Sequence, residues 1–395
     1  MSDTLLAALP PGPFVQLARL LEGTAPGKPP ISLAVGDPSG MVPGFITEAL
    51  ARHADGFGNY PAITGTEEWR RAAADWLNRR FALNGAIDPE KHLLPLSGTR
   101  EGLFSVLFPL MELTKGGGKP IVAMPNPFYQ CYAAAALSAG AEPLYVPATE
   151  ATGFLPDYAG LAPTTLERIA AVYFCSPSNP EGAVAPESYW TKLFELAERH
   201  DFIVLADECY ADIYFGQPPA SALPTRLAQS GGFSRLLTFH SLSKRSGLPG
   251  LRSGMVAGCP VLIELFRAFR NVAAPTVAAP ILAASAAAWR DEAHVAANRA
   301  AYAEKMAAAR TILGARFQQP AGGFFLWLNT ANGEETALRL WREQGVRVLP
   351  GAYMGREILA GKPQSNPGFS YIRVALVSDL STIMTALERV RSVAL

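Results

Sequence analysis

Ile169-Ala170-Ala171-Val172-Tyr173-Phe174-Cys175 carries no charge over seven residues, and Ser176-Pro177-Ser178-Asn179-Pro180-Glu181-Gly182 follows at once. An uninterrupted apolar run of strand length, closed by a polar turn, predicts a strand buried on both faces. Pro186 to His200 then reads as a helix opening on proline, and Phe202 to Ala206 is a second apolar run that ends on Asp207-Glu208-Cys209-Tyr210. Strand, helix and strand in succession form the crossover unit of a parallel sheet. Around this unit, Leu93–Leu96, Pro120–Met124, Glu142–Val146, Leu236–Phe239 and Gly254–Gly258 predict further strands. Helices are expected over Thr66–Phe81, Arg100–Leu113 and Tyr129–Ala139. The expectation is an α/β protein built on a mostly parallel, doubly wound sheet with helices on both faces.

The texture changes near residue 290. Helices are expected over Asp291–Leu313, Glu334–Gln344 and Asp379–Val393, with strands at Gly323–Leu328 and Tyr371–Leu376, which describes a smaller α+β domain. The boundaries read as an N-terminal arm over 1–45 joining that small domain, a large domain over 46–290, and the small domain over 291–395. The 395 residues are 49% hydrophobic and 17% charged, enough to bury sizeable cores and too apolar for disorder. Lys and Arg balance Asp and Glu at 34 each, so no bulk charge favours nucleic acid or an anionic membrane. Cys131, Cys175, Cys209 and Cys259 are scattered and only five His occur, so neither a disulfide framework nor a metal site is expected. Met1-Ser2-Asp3-Thr4 has no basic run of a secretory signal, and Val272–Trp289 is Ala-rich and broken by Pro275 and Pro280. A cytoplasmic location is expected. Gly116-Gly117-Gly118 lacks the rest of a phosphate-loop motif and reads as a turn.

Ligands of open α/β sheets sit at the carboxyl ends of the strands. Four expected strand ends deliver chemistry there: Ser97-Gly98-Thr99-Arg100, Ser176 to Gly182, Asp207 to Tyr210, and His240-Ser241-Leu242-Ser243-Lys244 with Arg252 eight residues on. Each fragment has a plain reading of its own, as helix cap, proline turn or solvated loop. Together they set a lysine, a carboxylate, an amide, a phenol, hydroxyls and an arginine along one rim.

Those residues resemble the aspartate aminotransferase family, the class I/II, fold-type-I enzymes that use pyridoxal 5′-phosphate. The resemblance runs through Asn59-Tyr60-Pro61 with Gly65, the S-x-N-P-x-G run, D-E-x-Y, S-x-S-K with its trailing Arg252, Gly322-Gly323-Phe324-Phe325 and Tyr371-Ile372-Arg373. Glu181 departs from it, standing where the family usually has Thr. The resemblance implies that Lys244 attacks the cofactor aldehyde and later moves a proton at the substrate Cα. Asp207 is implied to pair with the pyridine nitrogen, and Tyr210 and Asn179 with the phenolic oxygen. The phosphate would meet Gly98, Thr99 and Arg100 at a helix start, together with Ser241, Ser243 and Arg252. Tyr60 would reach it from a neighbouring subunit, which implies a homodimer with shared sites. Tyr129 would stack on the ring, or serve as a core aromatic. Arg373 would grip the substrate α-carboxylate, and Gly36 belongs to the loop closing over it.

Met124-Pro125-Asn126-Pro127-Phe128-Tyr129-Gln130, Phe239 to Ser246, Ser97-Gly98-Thr99-Arg100-Glu101 and Leu248 to Gly254 look like bacterial succinyldiaminopimelate transaminases. That resemblance implies amino transfer from L-glutamate to N-succinyl-2-amino-6-oxopimelate, in the diaminopimelate route to lysine. Arg100, Arg245 and Arg270 are candidates for the distal carboxylates, or solvated charges, and the small residues of Ala273–Ala279 would leave room for a succinyl group. An aspartate or aromatic aminotransferase and a cofactor-dependent lyase remain alternatives. A ligand-sensing regulator is disfavoured, because no helix-turn-helix segment precedes the body.

Overall fold

The computed structural model describes residues 9, 11–38, 40–112 and 114–394. Its strands are β1 (Ile31–Ser32), β2 (Leu93–Leu96), β3 (Ile121–Asn126), β4 (Glu142–Pro147), β5 (Ile169–Cys175), β6 (Ile203–Asp207), β7 (Leu236–Ser241), β8 (Gly254–Gly258), β9 (Phe325–Asn329), β10 (Val346–Arg347), β11 (Leu349–Pro350) and β12 (Tyr371–Ala375). Seven of them form one sheet in the order β2-β8-β7-β6-β5-β3-β4. All neighbours pair in parallel except β8, which runs antiparallel to both β2 and β7. This is the mostly parallel, doubly wound arrangement expected from residues 169–210.

Burial explains why the central strands read as continuous apolar runs: every residue of β5 is buried, as is every residue of β3 and β7. One core, with Trp69, Trp76, Trp190 and Trp289, covers one face of the sheet. A second, with Leu103, Phe128, Tyr132 and Phe266, covers the other. The helix Glu67–Arg80 starts where Thr66 accepts a hydrogen bond from the Trp69 N–H at 3.2 Å, and its Trp69, Trp76 and Leu77 are buried. The helix Glu187–His200 ends at Asp201, whose φ of 56° lies in the left-handed region.

The expected helix over Arg100–Leu113 is two pieces, Thr99–Ser105 and Leu107–Leu110, and its expected end at Leu113 lies outside the described residues. Met1 to Thr4 lie outside them too. Val272–Trp289 divides between two helices, Pro260–Ala273 and Ala279–Arg290, with the prolines marking the break. Among the described residues no helix is long and apolar enough to cross a membrane.

A smaller antiparallel sheet, β11-β12-β9, packs against the helices Ala293–Leu313 and Leu380–Ala394 around a third core. The N-terminal segment joins it. β1 pairs in parallel with β10, the Leu33 N–H donates to the Arg347 carbonyl at 2.8 Å, and the Ala375 N–H donates to the Leu33 carbonyl at 2.8 Å. This pairing delivers the backbone of Ala34 and Gly36 to the end of β12, beside the rim of the large sheet.

Candidate active site

Lys244 lies on a four-residue helical turn, Leu242–Arg245, directly after β7. Its Nζ donates to the Gly36 carbonyl at 2.7 Å and stands 5.4 Å from the centre of the Phe324 ring. Burial is the main reason its pKa falls to about 8, with Arg373 and Arg100 pushing the same way and Cys209 and Asp37 opposing. An amine held so far below the ordinary lysine range can lose its proton near neutrality and act as a nucleophile or base.

Asp207 ends β6 and is buried. Its Oδ2 accepts the Tyr132 hydroxyl at 2.6 Å and its Oδ1 accepts the Cys209 N–H at 3.2 Å. Burial pushes its pKa up, while these two donors and the nearby Lys244 pull it down. A buried carboxyl with only neutral hydrogen-bond donors suits a cationic ring nitrogen as its missing counter-charge. No sequence motif singles out Tyr132. It follows Tyr129 by three positions at the head of the helix Gln130–Ser138, and that spacing puts both rings on one face. Its own ring stacks on Tyr173 at 4.5 Å.

Arg373, on β12, is buried and donates to the Asn179 side-chain oxygen at 2.9 Å and to the Ala34 carbonyl at 2.7 Å. Its Nε has no acceptor, and burial lowers its pKa to about 10. The guanidinium lies over Phe325 at 4.3 Å. Tyr210 presents its ring edge-on to Phe324 and Phe325. Gly36 has to be glycine, since a Cβ there would come within 2.5 Å of the Phe325 ring.

The expected phosphate residues gather opposite. Gly98 has φ of 82°, and a Cβ on it would run into the Arg252 guanidinium. Arg252 is held by the carbonyls of Pro249 at 2.8 Å and Ser97 at 3.4 Å. Thr99 and Arg100 open the helix Thr99–Ser105, whose first N–H groups have no acceptor within it. Ser241 accepts the Ser243 N–H at 3.1 Å, and both serines are buried. The cradle under Gly98, the low-pKa lysine and the uncompensated Asp207 carboxyl are what pyridoxal phosphate requires, so the residues present fit it.

Some expected residues stand elsewhere. Arg245 is buried against Asp212 at 3.0 Å and Glu292 at 2.7 Å, and Arg270 against Glu101 at 2.8 Å. Their charges are already compensated, which removes both from the candidates for a substrate carboxylate. Arg100 is different: it is exposed, its Nε donates to the Tyr129 hydroxyl at 2.5 Å, and among the described residues it pairs with no carboxylate. Tyr129 also meets Tyr132 edge-on at 5.6 Å. Tyr60 is fully exposed.

Residues 28–389 match the family model described as aminotransferase class I and II. An LL-diaminopimelate aminotransferase from Nitratidesulfovibrio vulgaris (strain DP4) is 30% identical over 98% of this chain and 97% of its own. Among solved structures, an aminotransferase from Neisseria meningitidis Z2491 is 37% identical with a TM-score of 0.92, over 99% of each chain. A probable N-succinyldiaminopimelate aminotransferase from Thermus thermophilus is 25% identical with a TM-score of 0.83, over 97% of this chain and 100% of that one.

Proposed function

We propose that this chain, which belongs to the class I and II aminotransferase family, moves an amino group between L-glutamate and N-succinyl-2-amino-6-oxopimelate. Membership makes it a pyridoxal-phosphate-dependent transaminase; the choice of substrate and the residue roles are the proposal. The observation that carries the transamination is the low-pKa Lys244 amine near the buried Asp207 and the Arg373–Asn179 clamp. The succinylated substrate is supported by the stretches at 124–130, 239–246 and 248–254 and by the likeness to the probable N-succinyldiaminopimelate aminotransferase.

When bound, the cofactor supplies an electron sink for the charge that develops at the substrate Cα. Lys244 takes and returns the proton at that carbon. Asp207, fixed by Tyr132 and the Cys209 N–H, would keep the ring nitrogen protonated, and Tyr210 and Asn179 would serve the phenolic oxygen. Gly98, Thr99, Arg100, Ser241, Ser243 and Arg252 would hold the phosphate. Arg373 receives the α-carboxylate, oriented by Asn179 and Ala34 and capped by Gly36. The substrate's arm carries two further carboxylates, which the Arg100 guanidinium, paired with no carboxylate among the described residues, would meet while its backbone N–H serves the phosphate. Tyr60 completes the partner's phosphate site in a homodimer, a reading supported by its full exposure beside exposed Phe57. The reading keeps the arm 1–45 with the small domain 291–395, around a large domain 46–290, in a cytoplasmic biosynthetic enzyme.

The relatives named LL-diaminopimelate aminotransferases support a second reading, in which the substrate's distal end is an unmodified amino acid. A spectral titration of the cofactor-loaded enzyme separates the two. Rapid conversion of the cofactor to its amine form by N-succinyl-LL-diaminopimelate and L-glutamate, with little from free LL-diaminopimelate, L-aspartate or an aromatic amino acid, is the expected result. Preference for free LL-diaminopimelate establishes the second reading, and preference for aspartate or the aromatic overturns both. No conversion by any donor, with ammonia released instead, means a lyase.

A further inference from the structure

We propose that Arg245 is a positioning residue for Lys244, acting with Asp212 to tie the lysine's turn to the loop that carries Asp207 and Tyr210. The inference rests on the reading of Lys244 as the reacting amine.

Leu242–Arg245 is four residues long, too short to hold itself together by backbone hydrogen bonds alone. Its two basic side chains leave in different directions. Lys244 reaches the Gly36 carbonyl in the candidate site, while Arg245 is buried against the packed pair Trp76 and Trp289, its guanidinium carbon 5.3 Å from the centre of each ring. There Arg245 donates to the Ala288 carbonyl at 2.8 Å and Glu292 at 2.7 Å, and its Nε stands 3.0 Å from Asp212. Asp212 is itself buried and also accepts from Arg80 at 2.8 Å.

Asp212 lies two residues beyond Tyr210. The segment between is tightly turned: the Ala211 N–H donates to the Glu208 carbonyl, and the Ile213 N–H to the Tyr210 carbonyl. A shift at Asp212 is therefore passed to Tyr210 and Asp207 rather than absorbed by slack. One ion pair thus joins the two loops whose separation sets how the amine meets the ring. A buried pair of this kind gives little net stability but fixes geometry.

The charged and titratable groups facing Lys244 are Cys209, Asp37, Arg373, Arg100 and Asp207, and Arg245 is not one of them. Arg245 is faced by Asp212, Glu292, Asp291, His240 and His294, and Arg80 shares Asp212 with it. A displaced Lys244 would therefore report the loss of position, not the loss of a charge beside it.

The test compares wild type, Arg245→Lys and Glu292→Gln as holoenzymes. It reads the pH midpoint of the bound cofactor's visible absorbance, the dissociation constant for pyridoxal phosphate added to apoenzyme, and the half-reaction with L-glutamate. Arg245→Lys keeps the charge but loses the fork. The expected result is a midpoint moved by about half a unit or more and a kcat about tenfold lower, with KM for glutamate within a factor of about three. Glu292→Gln, half-exposed and remote from the site, should move both in the same direction by less. It also carries the test if Arg245→Lys fails to fold. Midpoints and kcat equal to wild type in the folded variants, or losses matching only the fraction unfolded, would overturn the proposal. A wild-type enzyme that binds cofactor yet transfers no amino group would sink the proposed function instead, leaving the midpoint comparison readable.

Discussion

Asp207 and Lys244 show how burial at single residues sets up chemistry. Burial raises one pKa and lowers the other, so each is left wanting a partner of opposite character. Asp207→Asn should keep the fold and the cofactor but slow the half-reaction by about 10- to 1,000-fold, the range of a charge partner that shifts a pKa by 1–3 units. Tyr132→Phe removes only the 2.6 Å donor to Asp207. Loss of a hydrogen bond to a charged group costs about 1.5–3 kcal/mol, so a fall of about tenfold or more is expected, measured in single turnover. For Lys244 the sign is fixed by its depressed pKa. The neutral amine gains population as pH rises through about 8, so the rate at which apoenzyme captures pyridoxal phosphate should climb there rather than near the ordinary lysine range. Stability follows the same sign: the unfolded chain keeps the proton to higher pH, so the folded state gains on it as pH rises above about 8.

Turns and caps carry their own consequences at the scale of elements. Gly98→Ala would place a methyl against the Arg252 guanidinium at a left-handed φ. Cofactor affinity should drop about tenfold or more, read by equilibrium dialysis of the apoenzyme, with melting little changed. The strands were legible in the sequence because β5, β6 and β7 are buried on both faces and so lack polar alternation. The helix Pro260–Ala273 was not, because Cys259-Pro260 offers no capping side chain to mark its start. The rim residues were legible from their position after apolar runs. Tyr132 was not, because its hydroxyl finds Asp207 across 75 positions of sequence, a distance no local pattern encodes. Arg245 and Arg270 looked like free cations for a similar reason: the carboxylates that neutralise them, at Asp212, Glu292 and Glu101, come from other elements.

The whole molecule is expected to work as a pair. If Tyr60 serves the partner's site, Tyr60→Ala and Lys244→Ala homodimers should each be nearly inactive. Mixing and re-equilibrating them should restore about a quarter of wild-type activity, from hybrids with one intact site. No restoration would place Tyr60 in its own subunit's site or in none. Within one chain, the pairing of β1 with β10 has a further bearing, on the order of events during synthesis. Ile31 must wait for Val346 before it has a strand to join. At about 5–20 residues per second on the ribosome, that delay is roughly a quarter of a minute to a minute. The arm that supplies Ala34 and Gly36 to the site thus spends that interval without its partner strand. The active site closes only after Val346 has emerged, and a product that stops short of it cannot carry a complete one.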